Sequence, residues 1–131
     1  MAFYVNEETG NIELIQGDSG YIIVNGLPTN KNYTLYFCIK NKKRETVGNE
    51  LSLSTNQAES IELQIGADLT DLLTVPLSEE YETYYFGIKL CYTDPETLIE
   101  TEETLFLGNS TISDMNTITV YPKRVEGYTN D

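Results

Sequence analysis

The stretch Tyr33-Thr34-Leu35-Tyr36-Phe37-Cys38-Ile39-Lys40 alternates large apolar side chains with polar or small ones. A second stretch, Glu82-Thr83-Tyr84-Tyr85-Phe86-Gly87-Ile88-Lys89, matches it at five of eight positions. In an extended chain successive side chains point to opposite faces, so period two marks a strand with one buried face. Leu35, Phe37 and Ile39 form the inward face of the first stretch. Tyr84, Phe86, Ile88 and Leu90 form that of the second. One match of this length makes no repeat array, which needs three or more units. It reads instead as two core strands drawing on the same few residue types.

Working outward, other short runs separate at turn residues. Asn11–Gln16 alternates and stops at Gly17-Asp18-Ser19-Gly20. Tyr21–Val24 stops at Asn25-Gly26-Leu27-Pro28, where both Asn25 and Gly26 tolerate positive φ. Leu51–Thr55, Ser60–Ile65, Leu98–Leu107 and Thr117–Tyr121 complete about eight strands. No segment keeps helical periodicity for long. The only helical turn expected lies near Asp68–Leu73, with Asp68 as its cap and Pro76 beyond it. The spacing predicts an all-β fold, an antiparallel sandwich of about eight strands in a single domain. The core is expected over residues 12–122, with a polar tail over 123–131.

The outward faces of the two long strands carry less polarity than full exposure demands. Tyr36, Cys38 and Lys40 share one; Tyr85, Lys89 and Cys91, with Gly87, share the other. If the strands are neighbours, these six residues form a flat patch of tyrosine and cysteine rimmed by lysine. Tyrosine-rich patches of this kind serve as partner surfaces.

Composition narrows the classes. The chain has 131 residues, 40% of them hydrophobic, enough for one core without staples. Its net charge is -13, from 21 acids and 8 bases. Such a balance opposes nucleic acid and anionic membranes, both of which need clustered cations. Four of the eight bases, Lys40, Lys42, Lys43 and Arg44, fall in one predicted loop, and five acids fall between Asp94 and Glu103. A loop of one subunit meeting the acidic edge of the next would give a head-to-tail homo-oligomer. No basic and apolar leader opens the sequence, so synthesis in the cytoplasm is expected. Cys38 and Cys91 are then expected as free thiols.

The sequence contains no histidine, which removes Ser-His-Asp and Cys-His catalysis and the commonest metal ligand. Neither CxxC nor a phosphate loop is present. Asp68 with Asp71, and Asp94 with Glu96, are short acidic clusters without calcium-loop spacing. No catalytic residue, cofactor or metal is expected. The ten tyrosines leave a carbohydrate-binding module as the alternative, with the absence of tryptophan against it.

A wider pattern runs through Ile12-Glu-Leu-Ile-Gln-Gly-Asp-Ser19, Phe37-Cys-Ile-Lys40, Ile65-Gly-Ala-Asp-Leu-Thr-Asp-Leu-Leu73, Tyr81-Glu-Thr-Tyr-Tyr-Phe-Gly-Ile-Lys-Leu90, Thr104-Leu-Phe-Leu-Gly108 and Ile118-Thr-Val-Tyr-Pro122. It resembles the N-terminal domain of phage baseplate upper proteins over residues 12–122. The resemblance implies an immunoglobulin-like sandwich that fastens a distal part of a phage or prophage tail to the baseplate core, hence a virion structural protein. Ser78-Glu79-Glu80 stands where that family often has a glycine. The family's helical stalk and receptor-binding or bridging region lie outside the resemblance.

Overall fold

A computed structural model describes residues 2–113 and 115–126. Nine strands are assigned among them: β1 (Phe3–Val5), β2 (Ile12–Ile15), β3 (Gly20–Val24), β4 (Asn32–Lys40), β5 (Thr46–Asn56), β6 (Ile61–Ile65), β7 (Glu82–Thr93), β8 (Glu100–Leu105) and β9 (Thr117–Tyr121). One helical turn, α1 (Ala67–Thr70), lies between β6 and β7. The fold is the expected all-β sandwich.

The large sheet has seven strands in the order β1-β2-β9-β7-β4-β5, with β8 beside the second half of β7. The small sheet has two, β3 and β6. Strands β9, β7, β4 and β5 occupy the G, F, C and C′ places of a variable-type immunoglobulin sheet, and β3 and β6 the B and E places. One pairing departs from the expected antiparallel pattern, since β2 runs parallel to β9.

The two matching stretches are β4 and β7, and they are antiparallel neighbours. Phe37 faces Ile88 across the ladder and Ile39 faces Phe86, so the matching residues cross-pair about a local two-fold. The rings of Phe37 and Phe86 pack diagonally, centroids 5.6 Å apart. All seven inward residues read from the period-two pattern are buried. Ile12, Ile22, Ile65, Leu73, Ile118 and Val120 complete the centre of the core.

Three elements depart from expectation. β1 adds a strand before residue 12, and its Phe3 is buried against the core. β5 starts five residues earlier than its apolar run, paired with β4 around a bulge between Phe37 and Ile39. The helical turn is capped at Gly66, and Asp68 sits inside its first turn without a capping bond. The turn is pinned instead by Thr70, whose hydroxyl donates to the Asp18 carbonyl at 2.8 Å. Of the polar tail, Lys123 pairs with Asp71 at 2.6 Å, and residues 127–131 lie outside the described residues.

Candidate protein-docking face

The six residues picked from the sequence come together. β4 and β7 are paired so that Tyr36 stands opposite Lys89, Lys40 opposite Tyr85, Cys38 opposite Gly87 and Cys91 opposite Thr34. All six point to the outer face of the large sheet. Lys89 is exposed and the other five are half-buried.

The surroundings correct one part of the expectation. The lysines do not rim the patch; they lie within it, each across from a tyrosine. Hydroxyl residues form the rim: Thr46 and Ser52 on β5, Thr104 on β8 and Thr117 on β9. Lys40 donates to the Thr46 hydroxyl at 2.7 Å, and Thr34 shares a 3.0 Å hydrogen bond with Ser54. Gly87 leaves a hollow between them, since a Cβ there would meet nothing within 4 Å.

The face extends further than the two strands. Tyr121 continues it on β9, with Tyr81 packed against its ring at 6.0 Å between centroids. On β1, Tyr4 stands opposite Glu13 and is 57% exposed. With Tyr36 and Tyr85, these make five of the ten tyrosines on or against one side of the domain. Tyr81 and Tyr4 carry no period-two signal, because one lies in a loop and the other in a three-residue strand.

The two cysteines share this face but not a bridge. Their ladder positions are four residues apart, about 13 Å along the strands, well beyond the Cα separation a disulfide spans. Both are free thiols. Burial pushes the Cys91 thiol up, and the Glu102 carboxylate adds to that. It is held as thiol, not as a reactive thiolate.

The acidic clusters have local work. Asp94 accepts from the backbone N–H groups of Glu96 (2.9 Å) and Thr97 (3.2 Å), which holds its carboxyl below the usual range and closes the β7–β8 turn. Asp71 pairs with Lys123. No group of three metal-ligating side chains occurs among the described residues. The basic loop Lys42–Arg44 lies at the Glu82 end of β7, where Lys42 meets Glu82 at 2.8 Å. The acidic β7–β8 turn lies at the other end, roughly 35 Å away by strand rise.

No family model matches the sequence, and no curated protein matches it.

Proposed function

We propose that this domain is a non-catalytic structural adaptor of a phage or prophage tail or baseplate, docking to other tail proteins through the outer face of the large sheet. The carrying observation is the run of Tyr4, Tyr36, Tyr85 and Tyr121, with Tyr81, across one sheet face among serine and threonine. Tyrosine brings a large rigid contact area at small entropic cost, and its hydroxyl can leave water without losing a partner. The tail assignment draws on the sequence resemblance over residues 12–122, and an immunoglobulin-like sandwich accords with it. Opposite charges at the two ends of the domain suit head-to-tail neighbours in an assembly.

Three measurements test this. Antibody raised against the domain should decorate tail tips of particles released on prophage induction in the bacterium that encodes it. Labelling absent from such particles rejects the tail assignment. Light scattering should show self-association that falls steeply with salt, and salt-insensitive self-association rejects the charge pairing. Binding to tail proteins of those particles should be lost in the Tyr36→Ala, Tyr85→Ala double variant, and binding that survives it rejects the face.

A further inference from the structure

The two sheets are unequal, and the inequality has an address. An immunoglobulin sandwich of this kind flanks its B strand with A and its E strand with D. Here the small sheet has only β3 and β6. After β6 the chain turns onto the large sheet: Leu69 and Leu72 lie over Gly48 of β5, and Leu73 is fully buried. The side beyond β3 is open past Gly20, on which the Phe3 ring of β1 packs. A groove of about 710 Å³ runs along β3 from Gly20 to Asn25, walled by Val5 and by Leu105, Phe106 and Leu107. Among the described residues the backbone of β3 bonds to β6 alone. In an antiparallel pair alternate N–H and C=O groups point away from the partner, so a row of them faces this groove.

We infer that the groove beside β3 is a strand-acceptor slot, filled by an extended segment of a partner protein that carries apolar residues at alternate positions and lysine or arginine between them. Unpaired edge groups select main chain in extended form over a helix or a small molecule. The apolar walls take every second side chain of such a strand. The length of β3, about 16 Å, sets the segment at roughly five residues. Glu7 is the one charged residue in the lining, and the chain carries -13. A basic segment is therefore attracted to this slot, whereas the head-to-tail contact between copies proposed above uses the ends of the domain and not this edge.

One wall of the slot is tied down by its own contacts. Gly10 and Gly108 bring two loops so close that a Cβ at Gly108 would stand 2.4 Å from the Thr9 backbone. Asn116, buried beneath, bonds to Thr9, Leu107 and Ser110 at once. A wall held in this way need not be ordered on binding. The inference rests on the docking function proposed above but concerns the opposite layer of the sandwich.

The probe is the synthetic peptide acetyl-Thr-Val-Lys-Val-Lys-Val-Thr-amide, titrated into the whole chain and followed by amide NMR shifts and hydrogen exchange. Saturable shifts and added protection are expected at Gly20–Val24 and Leu105–Gly108. Phe106→Ala should weaken binding about tenfold or more, the apolar contact being lost with no change of charge. The same peptide N-methylated at every lysine and valine should not bind, because it keeps the side chains but cannot pair. Tyr36→Ala should leave peptide binding unchanged, so failure of the outer-face reading and failure of this one are separable. No saturable shift of the β3 amides at millimolar peptide, shifts only elsewhere, or equal binding of the N-methylated peptide would each overturn the slot. Shifts of the same amides on concentrating the chain alone would assign it to a second copy and overturn the basic partner.

Discussion

Asn116 and Leu107 exchange two hydrogen bonds: the Leu107 N–H donates to the Asn116 Oδ1 at 3.0 Å, and the Asn116 Nδ2 donates to the Leu107 carbonyl at 3.2 Å. The amide thereby imitates a strand partner where β8 has ended and β9 has not begun. The same Nδ2 reaches the Thr9 carbonyl at 3.2 Å and the Ser110 hydroxyl at 2.8 Å. Asn116 is 3% exposed, so bulk solvent does not compete for these bonds. Asn116→Ala should cost about 1–3 kcal/mol, chiefly from the Leu107 N–H left without its acceptor, since the Thr9 and Leu107 carbonyls each keep a donor from Ser110. Urea unfolding checks this; a midpoint unchanged from wild type would show that the knot does not hold the loops.

Gly108 lies at φ 62° and Gly26 at φ 73°, both in the left-handed region, yet only the first is crowded. A Cβ at Gly26 meets nothing within 4 Å, whereas one at Gly108 collides with the Thr9–Gly10 backbone. Gly26→Ala should therefore cost only the conformational penalty, about 1–2 kcal/mol. Gly108→Ala adds overpacking against main chain and should reach roughly 2–5 kcal/mol. Equal losses of thermal stability in the two variants would refute the close approach of the loops.

The buried face of the sandwich was legible because burial acts on every second residue. Leu35, Phe37 and Ile39 could be assigned inward without knowing their neighbours, and the outer-face residues followed by parity. What alternation does not carry is which strands meet. The pairing of Tyr36 with Lys89 became visible only in the ladder. β1 was too short to show a period, and the first half of β5 reads Thr-Val-Gly-Asn-Glu, where a bulge and an edge position replace burial as the determinant. Asn116 carried no signal at all: its role depends on loops about a hundred residues apart in the chain.

Opposite faces of β4 should answer differently to truncation. Phe37 is 1% exposed and packs on Phe86, so Phe37→Ala should lose about 3–5 kcal/mol. Tyr36, one residue earlier, makes outer-face cross-strand contacts, and Tyr36→Ala should lose about 1 kcal/mol or less. Denaturant midpoints of the two variants decide. A Tyr36→Ala loss as large as that of Phe37→Ala would place Tyr36 in a core and remove it from any docking face.

The Lys42–Glu82 pair ties the basic loop to β7, and its pH dependence has a definite sign. The Lys42 ammonium and the Thr83 N–H hold the Glu82 carboxyl below its ordinary 4.5. A depressed carboxylate stabilises the fold above its unfolded value, and that contribution is lost as pH falls from about 4.5 through the folded value. Glu82 raises the Lys42 value above 10.5, so the lysine's share persists below 10.5 and is lost at higher pH. Both groups meet solvent, so the effect is small. At low pH it also competes with relief of the chain's negative self-repulsion. The comparison must be with Glu82→Gln. That variant should melt below wild type at pH 7, and the gap should close as pH drops below 4.5. A constant gap would mean that the carboxylate charge contributes nothing.

Cys91 offers a chemical report on the outer face. Its thiol is pushed up first by burial and then by Glu102, whose Oε1 lies 3.8 Å from the sulfur. Alkylation proceeds through the thiolate, so iodoacetamide should modify Cys91 more slowly at pH 8 than it modifies free cysteine. Glu102→Gln removes the charge but not the burial, and should speed the reaction without bringing it to the free-thiol rate. Mass spectrometry of the peptide spanning Cys91 follows both. If a partner seats on this sheet face, its presence should slow alkylation of Cys38 and Cys91 together, since both point to the same side of the sheet. Protection of neither cysteine in a stable complex would move the docking site off the face.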